Sequence, residues 1–147
     1  MSGIVCAVRG GLASQPTITT AIALAQETGL PLYFLYVVNL DFLSHSPTCR
    51  VHTISQEMHE MGEFILLMAQ ETAARQAVSA EGVVRHGNVA EEVIRLCHEL
   101  EADYLVLGKP KVEREDTVFT RELLHEFARR TEEQTGAAVV FAQGDVQ

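Results

Sequence analysis

The amino-acid sequence predicts an α/β protein, a three-layer αβα sandwich built on a five-stranded parallel sheet. Three observations carry that class. Five short apolar runs, rich in β-branched and aromatic residues, read as buried strands. Four longer segments between them repeat their apolar residues at i, i+3, i+4 and i+7, the spacing of a helix with one buried face. The two kinds of segment alternate strictly. A helical crossover joins parallel strands, so helices are expected on both faces of the sheet. Each crossover is expected to be right-handed.

Ile4 to Val8 is the first apolar run, closed by Arg9-Gly10-Gly11. Ser14 is placed to cap the first helix, with Pro16 in the first turn, where a missing N–H is harmless. Ile18, Ala21, Ile22 and Ala25 form its inner face, and Gly29 supplies a left-handed end. Pro31 precedes the second strand, Leu32 to Val38, and Asn39 to Arg50 reads as a loop. In the longest helix, Ile54, Met58, Met61, Ile65, Met68 and Thr72 alternate steps of four and three. That spacing predicts one buried stripe running to about Ser79, with Thr53 and Gln56 at capping-box spacing. Its methionines fit soft core packing rather than a metal site.

Gly82 opens the third strand, Val83 to His86. Asn88 then caps a helix with Glu91 at the capping-box position, and Val89, Val93, Leu96 and Leu100 make its stripe. Tyr104 to Leu107 is the fourth strand, stopped by Gly108, and Lys109 to Thr117 is a charged loop. The last helix turns Phe119, Leu123 and Phe127 inward and is expected to pair Glu126 with Arg130 and Arg129 with Glu133. Ala137 to Ala142 is the fifth strand.

A chain of 147 residues corresponds to one domain, spanning 1–147. It carries 11 Lys+Arg against 20 Asp+Glu, a formal net charge of −9. Such a surface repels phosphate backbones and anionic lipid, so neither nucleic acid nor a membrane is expected as a partner. Cys6, Cys49 and Cys97 are odd in number and hold no C-x-x-C pair, which argues against a disulfide framework or a zinc knuckle. Met1-Ser2-Gly3-Ile4 lacks a basic leader, and no run reaches the ~18 apolar residues of a membrane span. The expected location is cytoplasmic.

On a parallel sheet, ligands bind outside the strands' carboxyl ends, where the strand order reverses. The residues to watch are therefore Arg9-Gly10-Gly11, Val38-Asn39, His86-Gly87 and Gly108-Lys109. Ile4-Val5-Cys6-Ala7-Val8-Arg9-Gly10-Gly11, a helix ending at Gly29, and Leu35-Tyr36-Val37-Val38 together resemble the opening of a universal stress protein. Val84-Arg85-His86-Gly87-Asn88-Val89-Ala90-Glu91-Glu92-Val93-Ile94 and Ala102-Asp103-Tyr104-Leu105-Val106-Leu107-Gly108 resemble the family's middle signature. The resemblance runs along the whole chain in order and spacing. It implies strand order 3-2-1-4-5, the fold group of the adenine nucleotide alpha hydrolases, with a ligand crevice between strands 1 and 4. It also implies a homodimer through the C-terminal strand and a cofactor among AMP, ATP or phosphate. The candidate ligand residues at these strand ends are Ala7, Val8, Arg9, Gly10, Gly11, Val38, Gly108, Lys109 and Lys111.

Two departures from the family pattern bear on the ligand. ATP-binding members carry an aspartate where this chain has Arg9. They also carry glycines after strand 4 that let backbone N–H groups wrap phosphates. Here Gly108 is present, but Lys111 takes the second glycine's place, Arg121-Glu122 takes that of the later Gly-[Ser/Thr] pair, and Pro110 removes an N–H. Mg-ATP is expected to bind weakly or not at all. Lys109 and Lys111, the chain's two lysines, would with Arg9 gather cations for a smaller anion. Equally, Glu113, Glu115 and Asp116 nearly cancel that charge in a solvated loop. Gly10-Gly11 fits either a close backbone approach or a plain turn.

His52, Gln56, His59 and Glu63 share a helix face that reads as polar surface before it reads as a metal site. No metal and no catalytic residue is assigned, because neither a nucleophile–base nor an acid–base pair can be named. Three functions remain open: a non-enzymatic regulatory module with a ligand crevice, an interaction homodimer that binds no nucleotide, and an enzyme of the wider hydrolase-like group.

Overall fold

Strand pairing fixes the architecture. The computed structural model describes residues 2–9, 14–39, 48–108 and 121–142. The strands are β1 (Ile4–Ala7), β2 (Leu32–Val38), β3 (Ala80–His86), β4 (Tyr104–Gly108) and β5 (Ala138–Ala142). All pair in parallel, in the order β3-β2-β1-β4-β5. The helices are α1 (Gln15–Thr28), α2 (Thr48–Arg75), α3 (Val89–Leu100) and α4 (Arg121–Thr135).

Side-chain alternation along the strands builds two cores. Ile4, Cys6 and Val8 of the first strand segment, with Phe34, Tyr36 and Val106, pack against Ile18, Ala21, Ile22 and Ala25 of α1 and Leu66, Ala69 and Ala73 of α2. Val5, Leu35, Leu105 and Leu107 pack on the other face against Val93, Leu96 and Cys97 of α3 and Phe127 of α4. Two helices thus cover each face. The chain changes face between β3 and β4, so the strand order reverses between β1 and β4, the place where such sheets hold ligands.

The longest helix departs from the sequence expectation in an informative way. It starts at Thr48, ahead of the Thr53–Gln56 box, and ends at Arg75, where Ala77 turns the chain at φ 62°. Its inner face is Gly62, Leu66, Ala69 and Ala73, all buried, with Met58 and Ile65 half-buried. Met61 and Met68, assigned above to the buried stripe, are 56% and 54% exposed. The cause is size. A Cβ at Gly62 would stand 2.5 Å from Tyr36 Cδ1, so α2 lies almost in backbone contact with β2. Only small residues fit that seam, and the larger apolar ones are rotated outward.

Smaller corrections follow the same logic of local partners. Ser14 has helical dihedrals and caps nothing; its Oγ accepts from the Arg9 N–H at 3.1 Å. Asn88 does cap α3, its Oδ1 accepting from the Glu91 N–H at 3.0 Å. On α4, Arg129 takes both Glu126 (2.7 Å) and Glu133 (2.8 Å), while Arg130 lies over the Phe127 ring.

Candidate functional site

The crevice forms where β1 and β4 part. Cys6 pairs with Val106, and continuing that register sets Gly108 beside Val8. The Val8 N–H donates to Leu35 O at 2.9 Å, which holds β1 straight to its end. The next residue, Arg9, is exposed, and its N–H bond to Ser14 folds the chain back onto the start of α1. Thr17, buried in the first turn of α1, closes the other side. A Cβ at Gly108 would meet its Oγ1 at 2.6 Å, so only glycine lets β4 pass under the helix there.

The first turns of α1 and α3 differ in charge. No acidic residue lies in the first turn of α1, and the Arg9 N–H bond to Ser14 sets the partial positive charge of that helix end beside the end of β1. The first turn of α3 carries Glu91 and Glu92. Glu92 is buried, and its carboxylate accepts from Arg95 at 2.6 Å and lies 3.9 Å from Arg85. That helix start is already neutralised from within.

Val38 is buried at the end of β2, and its carbonyl accepts from the Gly87 N–H at 3.0 Å. This bond ties the end of β3 to the crevice wall. His86 follows on that wall, and its Nε2 lies 2.9 Å from Nδ1 of His59 on α2. The ring centroids are 5.1 Å apart at 18°, so the nitrogens meet end on, as in an N–H···N hydrogen bond, with no space between them for an ion. Among the described residues no group of three His, Cys, Asp or Glu is placed to hold a metal.

Of the residues implicated by sequence, Ala7, Val8, Arg9, Val38 and Gly108 therefore gather at the carboxyl ends of β1, β2 and β4. Gly10, Gly11, Lys109 and Lys111 lie outside the described residues, as does the whole charged loop from Lys109 to Thr117. The sequence reading missed Thr17, which decides why Gly108 is glycine. It also missed Glu92, with Arg85 and Arg95 around it. An acidic residue at the fourth position after the Asn88 cap was the available signal. A separate open groove of about 950 Å³ runs between α3 and α4, past Asn88, His98 and Arg130. It is lined by residues from the cap of α3 to the end of α4 and by none of β1 or β4.

An order reversal between β1 and β4, with a pair of helices packed on each face, defines a doubly wound α/β sandwich. The universal stress protein family matches residues 1–135, and the chain belongs to that family. No curated protein matches it in sequence. Among solved structures, it is similar to a universal stress family protein from Burkholderia pseudomallei (23% identity, TM-score 0.64, covering 94% of this chain and 92% of that one). It is similar to the universal stress protein UspA from Lactobacillus plantarum (18%, TM-score 0.76, 97% of each chain). It also resembles a universal stress protein from Archaeoglobus fulgidus solved in complex with dAMP (14%, TM-score 0.63, covering 97% and 98%). Other similar structures were solved with cAMP or AMP bound. At these identities the likeness is one of fold.

Proposed function

We propose that this chain is a non-enzymatic, stress-responsive regulatory module whose crevice takes an adenine mononucleotide or a smaller anion. The observation that carries the reading is the first turn of α1, which holds no acidic residue and is tied to the end of β1 by the Arg9 N–H bond to Ser14. An anion there gains from the helix N–H groups and from a guanidinium. Relatives of the same fold solved with dAMP, AMP or cAMP support an adenine nucleotide as the ligand. Arg9, Pro110, Lys111 and Glu122 stand where ATP-binding relatives place their aspartate, phosphate-wrapping N–H groups and small residues. That favours a monophosphate over Mg-ATP. A cytoplasmic setting belongs to the same reading, supported by two buried free thiols, Cys6 and Cys97, which suit a reducing compartment.

The test is titration calorimetry of the purified protein with AMP, inorganic phosphate and Mg-ATP. AMP is expected to bind, and Mg-ATP more weakly. Lys109→Ala with Lys111→Ala should weaken AMP by about 1.5–3 kcal/mol for each charged hydrogen bond lost. Protein purified with stoichiometric ATP would overturn the preference for a monophosphate. Silence toward all three ligands would favour the second reading, a homodimer that binds no nucleotide. For that reading, β5 stands at the end of the sheet order and Val139, Val140 and Phe141 are half-exposed, without proline or lysine to discourage pairing. A two-fold axis would run two copies antiparallel along it.

A further inference from the structure

We propose that the outward face of α2 is a self-association surface, on which a second copy of this chain seats its own α2 antiparallel about a two-fold axis. Met61, Phe64, Leu67 and Met68 are 56%, 61%, 55% and 54% exposed, a concentration of large apolar side chains on one helix. A patch of that kind marks a contact surface rather than scattered surface apolar residues.

The spacing selects the type of contact. Glu57, Met61, Phe64, Met68, Glu71 and Arg75 alternate steps of four and three, the seam of a two-helix coiled coil. The charges at its ends select the partner and its direction. A parallel copy would set Glu57 on Glu57 and Arg75 on Arg75, which repels. An antiparallel copy centred on position 66 sets Phe64 on Met68, Met61 against the long arm of Glu71, and Glu57 on Arg75 at both ends. Sliding one heptad either way loses the Glu57–Arg75 pairing. Within one copy Arg75 meets Glu71 only at 3.8 Å, with side chains 73% and 64% exposed, a pair that holds it weakly. The seam is thus complementary to itself in one register.

The area predicts a reversible contact. Exposures of 54–61% on four such side chains leave roughly 400 Å² per copy, about half of one side of a standard interface. Association is therefore expected to depend on concentration. The face is also independent of the crevice reading and of β5. Helix α2 packs on β2 and β3, at the opposite end of the sheet from β5, so contacts through both would add.

Sedimentation equilibrium across a range of concentrations reads this surface. The wild-type average mass should climb with concentration. Glu57→Arg or Arg75→Glu alone should weaken that association roughly fivefold or more, since two-fold symmetry spoils two pairs at once. The double exchange, Glu57→Arg with Arg75→Glu, should restore it. Phe64→Ser should abolish it while leaving circular dichroism unchanged, as an exposed position allows. An average mass independent of concentration, single reversals without effect, or a double exchange that fails to restore association would each overturn the proposal.

Discussion

At the scale of single residues, what a side chain contributes follows from its neighbours rather than from its type. Gly62 and Leu66 seat α2 on the sheet, whereas Met61 and Met68 on the same helix face water. Gly62→Ala should cost about 1–3 kcal/mol, because the new methyl group must displace the Tyr36 ring. Leu66→Ala should cost about 2–5 kcal/mol through an unfilled core. Met61→Gln and Met68→Gln should each stay within about 0.5 kcal/mol in dilute urea denaturation. A reversed ranking would show that the helix is rotated back to the phase its methionine spacing suggests. The thiols divide in the same manner. Burial pushes Cys6 far above the ordinary thiol range and Cys97 up to about 12, so both stay protonated at neutral pH. A disulfide reagent at pH 8 should leave both unmodified until denaturant is added.

The elements are held in place by polar links that the hydrophobic pattern does not announce. Arg85 on β3 reaches Glu99 on α3 at 2.7 Å and 3.3 Å, and that hydrogen bond holds the Glu99 carboxyl below its usual range. A carboxyl lowered in the folded state stabilises above the unfolded carboxylate range, and loses that contribution as pH falls through the lowered value. Glu99→Gln should therefore destabilise modestly at neutral pH, with the gap to wild type closing in acid-unfolding curves below about pH 4. The edge strand has a link of its own. Ala138 N–H donates inward to Asp103 O, so Val139 N–H points outward, where Glu132 accepts it at 3.1 Å. If β5 pairs with another copy, Glu132 must yield or the pairing must centre beyond Val139. Glu132→Ala should strengthen any β5 dimer in light scattering; no change would place the dimer contact elsewhere. Proline at Val140, whose N–H faces β4, would break the sheet itself and is the wrong probe.

For the whole molecule, the strand positions and the strand order were legible in the sequence. Buried parallel strands are short, apolar and bounded by glycine, and a resemblance spread over the full chain supplied the order. Ile18, Ala21, Ile22 and Ala25 face inward as their spacing predicts, and Gly29 turns the chain at φ 74°. The phase of α2 was not legible, because two apolar stripes lie side by side and only packing against Tyr36 chooses between them. Nor could spacing reveal that Thr17 crowds Gly108, since that contact joins residues far apart in sequence. The candidate site was legible as a place, the ends of β1, β2 and β4, but its chemistry rests on how α1 starts.

One measurement tests that account most directly: amide chemical shifts of the labelled protein as AMP is added. Binding at the crevice predicts saturable shifts concentrated at Val8, Arg9, Thr17, Val38 and Gly108, and their loss in Arg9→Ala. Shifts centred instead on Asn88, His98 and Arg130, along the groove between α3 and α4, would contradict it, as would a spectrum unmoved by AMP.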